Sequence, residues 1–194
     1  MDIIENAINL IKNGDNSAFE VIINSFQKPL FRYCYHMLGN ISDAEDTLQE
    51  IFIKVYNNLS SYKSSTNFSA WVYTISYNHC VNFLSRKKLF LFLPLPEGLN
   101  KGNSNIGDSL TDMEYGKELN SALKILASKD RTILILRCVE EKSYDEISDI
   151  VKLKQSAVRK RYERAKKKLK AILENTTING DSDYIGKINT VGKQ

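Results

Sequence analysis

Residues 143–170 read SYDEISDIVKLKQSAVRKRYERAKKKLK, and their pattern decides the fold. Ser143 followed three residues later by Glu146 is a capping-box opening: the hydroxyl accepts from the later amide while the carboxylate reaches back. The spacing predicts a short helix with Ile147, Ile150 and Val151 inside, then a brief turn at Lys152-Leu153-Lys154-Gln155. In the helix that follows, Val158, Tyr162, Ala165 and Leu169 recur at four, three and four residues and so share one face. The other sides carry Arg159, Lys160, Arg161, Arg164, Lys166, Lys167, Lys168 and Lys170, opposed only by Glu163. Short helix, tight turn and longer helix with an apolar seam make a helix-turn-helix, whose second helix presents its start to the major groove. Phosphates take Lys and Arg without regard to sequence, while a few residues near the helix start read base edges. A merely solvated face would mix both signs of charge. This one is nearly of one sign, which favours DNA.

Working outward, helical spacing continues upstream through Leu119, Leu123 and Leu126, then Ile133, Leu134 and Leu136. This gives a C-terminal domain over residues 113–174, with a polar tail expected to be disordered over 175–194. Residues 89–112 hold Pro94, Pro96, Gly98, Gly102 and Gly107 among Asn and Ser, the composition of a flexible linker. Its start, Leu89-Phe90-Leu91-Phe92-Leu93, is apolar enough to dock on something.

Residues 1–88 form the other module. Ile4, Ile8 and Ile11 predict a helix over residues 2–12 that Gly14 ends. Either Asn16 or Ser17 caps a second helix carrying Phe19, Ile22, Ile23, Phe26 and Leu30, in which Pro29 predicts a kink or a break. After a stop at Gly39-Asn40, Ser42 with Glu45 caps a third helix whose stripe is Leu48, Ile51, Phe52 and Val55, ending near Asn57-Asn58. Residues 60–69 are a polar loop with two aromatics, and Trp71, Ile75, Val81 and Leu84 mark a fourth helix. The expected fold class is therefore all-α: two small helical domains joined by a flexible linker.

Composition narrows the function. An apolar share of 42% supports real cores, and the net charge of +4 is mild overall but concentrated near the C-terminus. Cys34, Cys80 and Cys138 lie far apart without metal-ligand spacing, which fits small hydrophobes in a reducing, cytoplasmic setting. Met1-Asp2-Ile3-Ile4-Glu5 is acidic where a signal peptide is basic, and Leu89 to Leu95 is too short to cross a bilayer. His36 and His79 are isolated, and no Gly-rich phosphate loop appears. Neither an enzyme, nor a metal or other cofactor, nor a small-molecule substrate is expected.

Several of these segments resemble one family. Leu134-Ile135-Leu136-Arg137, Ser143-Tyr144-Asp145-Glu146-Ile147, Val158-Arg159-Lys160-Arg161 and Arg164-Ala165-Lys166-Lys167-Lys168-Leu169 are similar to region 4 of extracytoplasmic-function (ECF) sigma factors, a subfamily of the sigma-70 family. Gly14-Asp15 with Ala18-Phe19, Asp43-Ala44-Glu45-Asp46 with Gln49-Glu50 and Phe52, and Trp71 with Ile75 and Asn78 resemble region 2. The likeness covers residues 10–173 in the family's order, with a linker between.

The resemblance implies a subunit that joins core RNA polymerase, directs it to promoters through the −35 and −10 elements, and melts the −10 element. It implies that Asp46, Gln49 and Glu50 dock on the clamp helices of the β′ subunit, with β a further contact. Tyr62, Lys63, Phe68, Asn78, Asn82 and Arg86 would contact the −10 element. Tyr62 and Phe68 would offer ring faces to a flipped base and the two asparagines amides one turn apart, although Phe68 suits a core equally well. Lys63, Arg86, Lys87 and Lys88 would follow the phosphates. On the −35 side the contacts would be Gln155, Ser156, Arg159, Lys160, Glu163, Arg164 and Lys167, with Arg159, Lys160 and Glu163 toward base edges. Arg161 and Arg164 either hold phosphate or pack locally. Many family members are held by an anti-sigma factor, so such a partner is also in view.

This chain departs from the family in places. Lys154 stands where a Ser or Thr often caps the recognition helix, so Ser156 is a rival cap that would shift the helix start. Glu141 and Ala127 replace a common Gly and Pro, and Ser76-Tyr77 replaces Ala-Arg before Asn78, removing one basic group from the −10 surface. Two other readings stand beside the sigma factor: a dimeric DNA-binding regulator acting without polymerase, and a protein whose basic helix binds RNA or an acidic partner.

Overall fold

The computed structural model describes residues 3–63, 67–92 and 117–177. The described residues hold eight α-helices, two short 3-10 turns and no strand. They are α1 (Ile3–Lys12), α2 (Phe19–Leu38), α3 (Ile41–Asn58), α4 (Phe68–Phe92), α5 (Lys117–Lys124), α6 (Ser128–Cys138), α7 (Tyr144–Val151) and α8 (Gln155–Thr177). The first four form one lobe and the last four another, as the hydrophobic spacing predicts. The expected linker meets helix at its start, because α4 runs to Phe92, with Leu89 and Phe90 exposed. The rest of residues 89–112, and residues 178–194 of the expected tail, lie outside the described residues; α8 itself runs to Thr177.

Chain ends of the helices follow local chemistry, with three corrections. Asp15, rather than Asn16 or Ser17, caps the turn leading into α2, its carboxylate accepting from Ser17 N at 3.1 Å. Asn40, rather than Ser42, caps α3: its Oδ1 accepts from Asp43 N at 2.7 Å and its Nδ2 donates to Asp43 Oδ2 at 2.6 Å. Pro29 does not break α2, which continues to Leu38. Leu30, Tyr33, Cys34 and Met37 just beyond it are wholly buried. Each large apolar side chain removed from water contributes roughly 1.5–3 kcal/mol, enough together to offset the lost ladder bond of one proline.

The capping box of α7 forms as the sequence predicts. Ser143 Oγ accepts from Glu146 N at 3.2 Å, and Glu146 Oε2 accepts from Ser143 N at 2.8 Å. Lys152 then turns through the left-handed region with φ 53°, and α8 starts at Gln155 with Lys154 O accepting from Val158 N at 3.0 Å. Ser156 therefore sits in the first turn and does not move the start of the helix. Val158, Tyr162, Ala165 and Leu169 are all buried, which fixes the other sides of α8 outward.

The lobes do not stand apart. α7 lies against α4, and α2 against α5 and α6, so one core runs through both. The junction has a polar seam. Arg131, almost fully buried, donates to Met37 O of the first lobe, and to Lys124 O and Leu126 O of its own at 2.8 and 3.3 Å. His36 Nδ1 meets Asn120 Oδ1 at 2.8 Å, Tyr33 Oη meets Thr132 Oγ1 at 3.3 Å, and Lys142 Nζ donates to Ser69 Oγ at 2.8 Å. These paired groups favour one docking geometry, since a misaligned pair would leave further donors unsatisfied beyond Arg131 Nε and Asn120 Nδ2, which have no partner among the described residues.

Candidate nucleic-acid interface

Three surfaces matter, and two of them meet at α3. On the outer side of this helix Asp46, Gln49 and Glu50 are exposed at spacings of three and four residues. Ile53, 59% exposed, continues the row by one turn and was not singled out from the sequence. The opposite stripe anchors the helix: Ala44, Thr47, Ile51 and Val55 are buried, with Leu48 and Phe52 partly so.

Between the C-terminal half of α3 and the middle of α4 lies an open-sided cavity of about 270 Å³. Trp71 and Ile75 give it apolar wall, and Asn58, Ser61, Asn78 and Asn82 give it amide and hydroxyl groups. Lys54 and His79 complete the lining, with Lys54 Nζ 2.6 Å from His79 Nδ1. Asn78 and Asn82 are exposed one turn apart, as expected, and Arg86 is exposed a turn further along α4. Lys63 lies on the surface at the loop's start.

Tyr62 and Phe68 are placed differently from the expectation. They are 3% and 7% exposed, packed edge-on against each other at 5.0 Å, and Tyr62 Oη donates to Glu5 Oε1 at 2.9 Å. Tyr62 faces α1, and Phe68 packs edge-on against Phe26 of α2 at 5.7 Å, so neither ring faces outward. The aromatic that does reach the cavity is Trp71, stacked on Phe68 at 5.6 Å and only half-buried. An indole between Ala70 and Val72 gives no sequence signal for this, because the pairing of α3 with α4 decides which side it faces.

The third surface is α8. Ser156, Arg159, Lys160, Glu163, Arg164 and Lys167 are exposed along it and Gln155 is half-buried at its start. Arg159 lies 4.8 Å over the Tyr144 ring, and Arg137 lies 4.9 Å over the same ring. Arg161 is held differently: its Nη1 donates to Asp130 Oδ1 at 2.7 Å. Of the two arginines left open between phosphate and local packing, Arg161 thus packs locally here. Arg164 also bends back, Nε to Lys160 O at 3.3 Å, while staying exposed.

Comparison with known proteins decides what this arrangement is. The family described as Sigma-70 region 2 matches residues 22–90, and the one described as Sigma-70, region 4 matches residues 117–169. Together they take in most of the described helices, in the same order.

The chain belongs to the sigma-70 family.

It is of the ECF type, and it serves as the subunit that directs core RNA polymerase to promoters and starts transcription there. The chain is 29% identical to the ECF RNA polymerase sigma factor SigW of Bacillus subtilis over 182 residues, 89% of this chain and 97% of that one. It is 28% identical to RNA polymerase sigma factor SigZ of the same organism, covering 80% of this chain and 86% of the relative. Among solved structures, CnrH in complex with the cytosolic domain of CnrY superposes with a TM-score of 0.67 at 20% identity, covering 90% of this chain and 99% of CnrH. RpoE of Bartonella quintana, solved with the anti-sigma factor NepR, superposes at 0.65 with 18% identity, covering 80% and 96%. These two likenesses support the fold. Region 2 of this sigma factor thus contains α3, α4 and the cavity, and region 4 contains α8. No helix among the described residues is long and apolar enough to cross a membrane.

Proposed function

We propose that this sigma factor divides promoter recognition among its three surfaces. Asp46, Gln49 and Glu50 dock on the β′ clamp helices, the cavity between α3 and α4 takes a base flipped from the −10 element, and the exposed side of α8 reads the −35 element. The observation that carries this reading is the position of α3, which has exposed carboxylates and an amide on its outer side and lines the cavity from its C-terminal half. A single helix would then hold the melted strand next to the polymerase. Extruding a base costs a few kcal/mol, which stacking on Trp71 and hydrogen bonds to Asn78 and Asn82 can return. Arg86 and Lys63 extend the same surface toward the backbone phosphates.

On α8, Arg159, Lys160 and Glu163 follow the N-terminal turns that a helix-turn-helix inserts into the major groove, with Lys167 toward phosphate. Gln155 and Ser156 lie at the helix start, where main-chain amides favour phosphate. Bipartite contact would give avidity that neither lobe has alone. Residues 1–88 and 113–174 would serve as the working units, with residues 89–112 spanning the distance between their sites. An anti-sigma factor of the kind solved with RpoE is proposed as a further partner. A cytoplasmic protein without catalytic chemistry fits all of these roles.

Gel filtration with bacterial core RNA polymerase tests the first part. Co-elution weakened by Asp46→Ala, Gln49→Ala and Glu50→Ala supports the docking surface. Absence of co-elution with active core would leave a stand-alone DNA-binding regulator as the better account.

A further inference from the structure

His79 is a residue to which the sequence reading assigned no role. It lies in the middle of α4, its side chain only 4% exposed, yet it lines the cavity, bonds Lys54 of α3 and has Glu50 of the same helix nearby. Its Nδ1 lies 2.6 Å from Lys54 Nζ and its Nε2 lies 3.4 Å from Glu50 Oε2. The Lys54 contact fixes the ring's state. A lysine ammonium has donors and no acceptor, so Nδ1 must carry the lone pair; Nε2 then carries the proton, with the Glu50 carboxylate near it at 3.4 Å, longer than a good hydrogen bond. The order is Glu50 carboxylate, imidazole, Lys54 ammonium, running from the exposed side of α3 to the cavity wall.

We propose that His79 is a positioning residue for promoter opening: as the neutral imidazole accepting from Lys54, it holds the Lys54 ammonium at the cavity wall, leaving its remaining N–H groups to donate to an acceptor on the extruded nucleotide. This rests on the cavity's being the −10 base site. A lysine has four rotatable bonds, and holding its tip in place removes an ordering cost that binding would otherwise carry. A second consequence concerns Glu50, which reaches outward on the polymerase-facing side while lying 3.4 Å from His79 Nε2, its side chain 63% exposed. Polymerase docking and cavity geometry therefore share a residue.

The environment agrees with a neutral ring. Burial lowers the His79 pKa below its ordinary 6.5, with the Lys54 charge adding to this, Glu50 opposing it and Arg86 on the same helix again lowering it. Protonation would turn the acceptor of Lys54 into a second cation beside it. Promoter opening should therefore weaken only as pH falls through this lowered value, and should do so through this ring.

The test uses holoenzyme built from the full chain and bacterial core polymerase, on a promoter that this holoenzyme selects from random-sequence duplex DNA. Opening is read as permanganate reactivity of unpaired thymines across the −10 element, from about pH 5.5 to 8. His79→Asn places a carboxamide oxygen near the Nδ1 position; it should open the promoter within about twofold of wild type at neutral pH and lack the acid loss. His79→Leu and Lys54→Met should each lose opening about tenfold, the effect of one charge-assisted bond, while still co-eluting with core. Normal opening by His79→Leu, or an acid loss in His79→Asn equal to that of wild type, overturns the proposal. Asn78→Ala and Asn82→Ala separate the two levels of inference. If they impair opening and His79→Leu does not, only the positioning role falls; if none of them impairs it, the −10 assignment of the cavity falls too.

Discussion

Glu140 of the second lobe accepts the phenol of Tyr73 of the first at 2.6 Å, and its carboxylate is only 4% exposed. Its other oxygen accepts Arg32 Nε at 3.1 Å. Burial, reinforced by the adjacent Glu140, raises the Tyr73 pKa far above its ordinary range, so the phenol keeps its proton and donates it to the carboxylate. Glu140 lies in the short connection between α6 and α7, next to Lys142, which reaches Ser69 at the start of α4. This connection ties region 4 to the segment of region 2 that leads into the cavity.

Removing that carboxylate should loosen the junction. Glu140→Ala leaves the Tyr73 hydroxyl buried without its acceptor, at a cost of roughly 1–3 kcal/mol, whereas Arg32, nearly half exposed, can turn to water. Tyr73→Phe keeps the Arg32 pair and should cost less. Urea unfolding midpoints of the two variants check this. A Glu140→Ala midpoint equal to that of wild type would mean that the two lobes separate in solution.

Stability should decline in acid in two stages. Burial lowers the His36 pKa below its ordinary 6.5 against the raising effects of Asn120 and Glu140, with Arg32 again lowering it; His79 is lowered likewise. The unfolded chain then takes up protons first, so stability is complete above about pH 6.5 and falls below it. Asp43 and Glu146 give the second stage: burial raises each, but bonds to Lys87 and Asn40 for one, and to Ser143 and Lys142 for the other, leave both below the usual carboxylate range. Their contribution is present above their unfolded values and is lost as pH falls through the folded ones. Melting temperatures across the pH range should fall from about pH 6.5 in wild type and less steeply there in His36→Gln. A curve flat to about pH 5 would contradict the assignment to histidine.

Two glycines separate backbone strain from crowding. Gly39 ends α2 with φ 77° and donates to Tyr35 O at 2.7 Å; a Cβ there would fall 1.9 Å from Lys124 Cε. Gly14 has φ 100° with nothing near the same position. Gly14→Ala should lose only the backbone preference, about 1 kcal/mol. Gly39→Ala must also displace the tip of Lys124, a flexible group, and should lose somewhat more. Thermal unfolding of the two variants side by side measures the difference.

What could be read directly from the residues was short-range. The capping box joins partners three residues apart, and the seam of α8 repeats within one helix, so neither needs tertiary knowledge. Asn40 and Ser42 are both capping residues two apart, and the choice between them rests on the left-handed turn of Gly39 and the reciprocal bonds of Asp43. Pro29 has a local cost, but the burial beyond it decides the outcome. The cavity was the least legible feature. Lys54 and His79 lie 25 residues apart, and only the packing of α3 on α4 shows that their side chains meet. Tyr62 and Phe68 show the same limit, since an aromatic in a polar loop suits a base or a core equally well.

The basic side of α8 can be sorted by salt dependence. Lys167 is exposed and directed toward phosphate in the proposed docking, so Lys167→Ala should weaken promoter binding on all sequences alike and lower the salt slope by about 1. Arg159 is held over Tyr144 near the start of the helix, and Arg159→Ala should cost roughly 1–3 kcal/mol of discrimination at particular −35 positions. Arg161 provides the contrast. Its guanidinium is engaged by Asp130, so Arg161→Ala should change unfolding more than it changes the salt slope. Binding titrations of the three variants at several salt concentrations, on selected and scrambled −35 sequences, check the division. If Arg161→Ala reduced the slope as much as Lys167→Ala does, the Asp130 pair would have to break when the helix meets DNA, and Arg161 would count among the phosphate contacts.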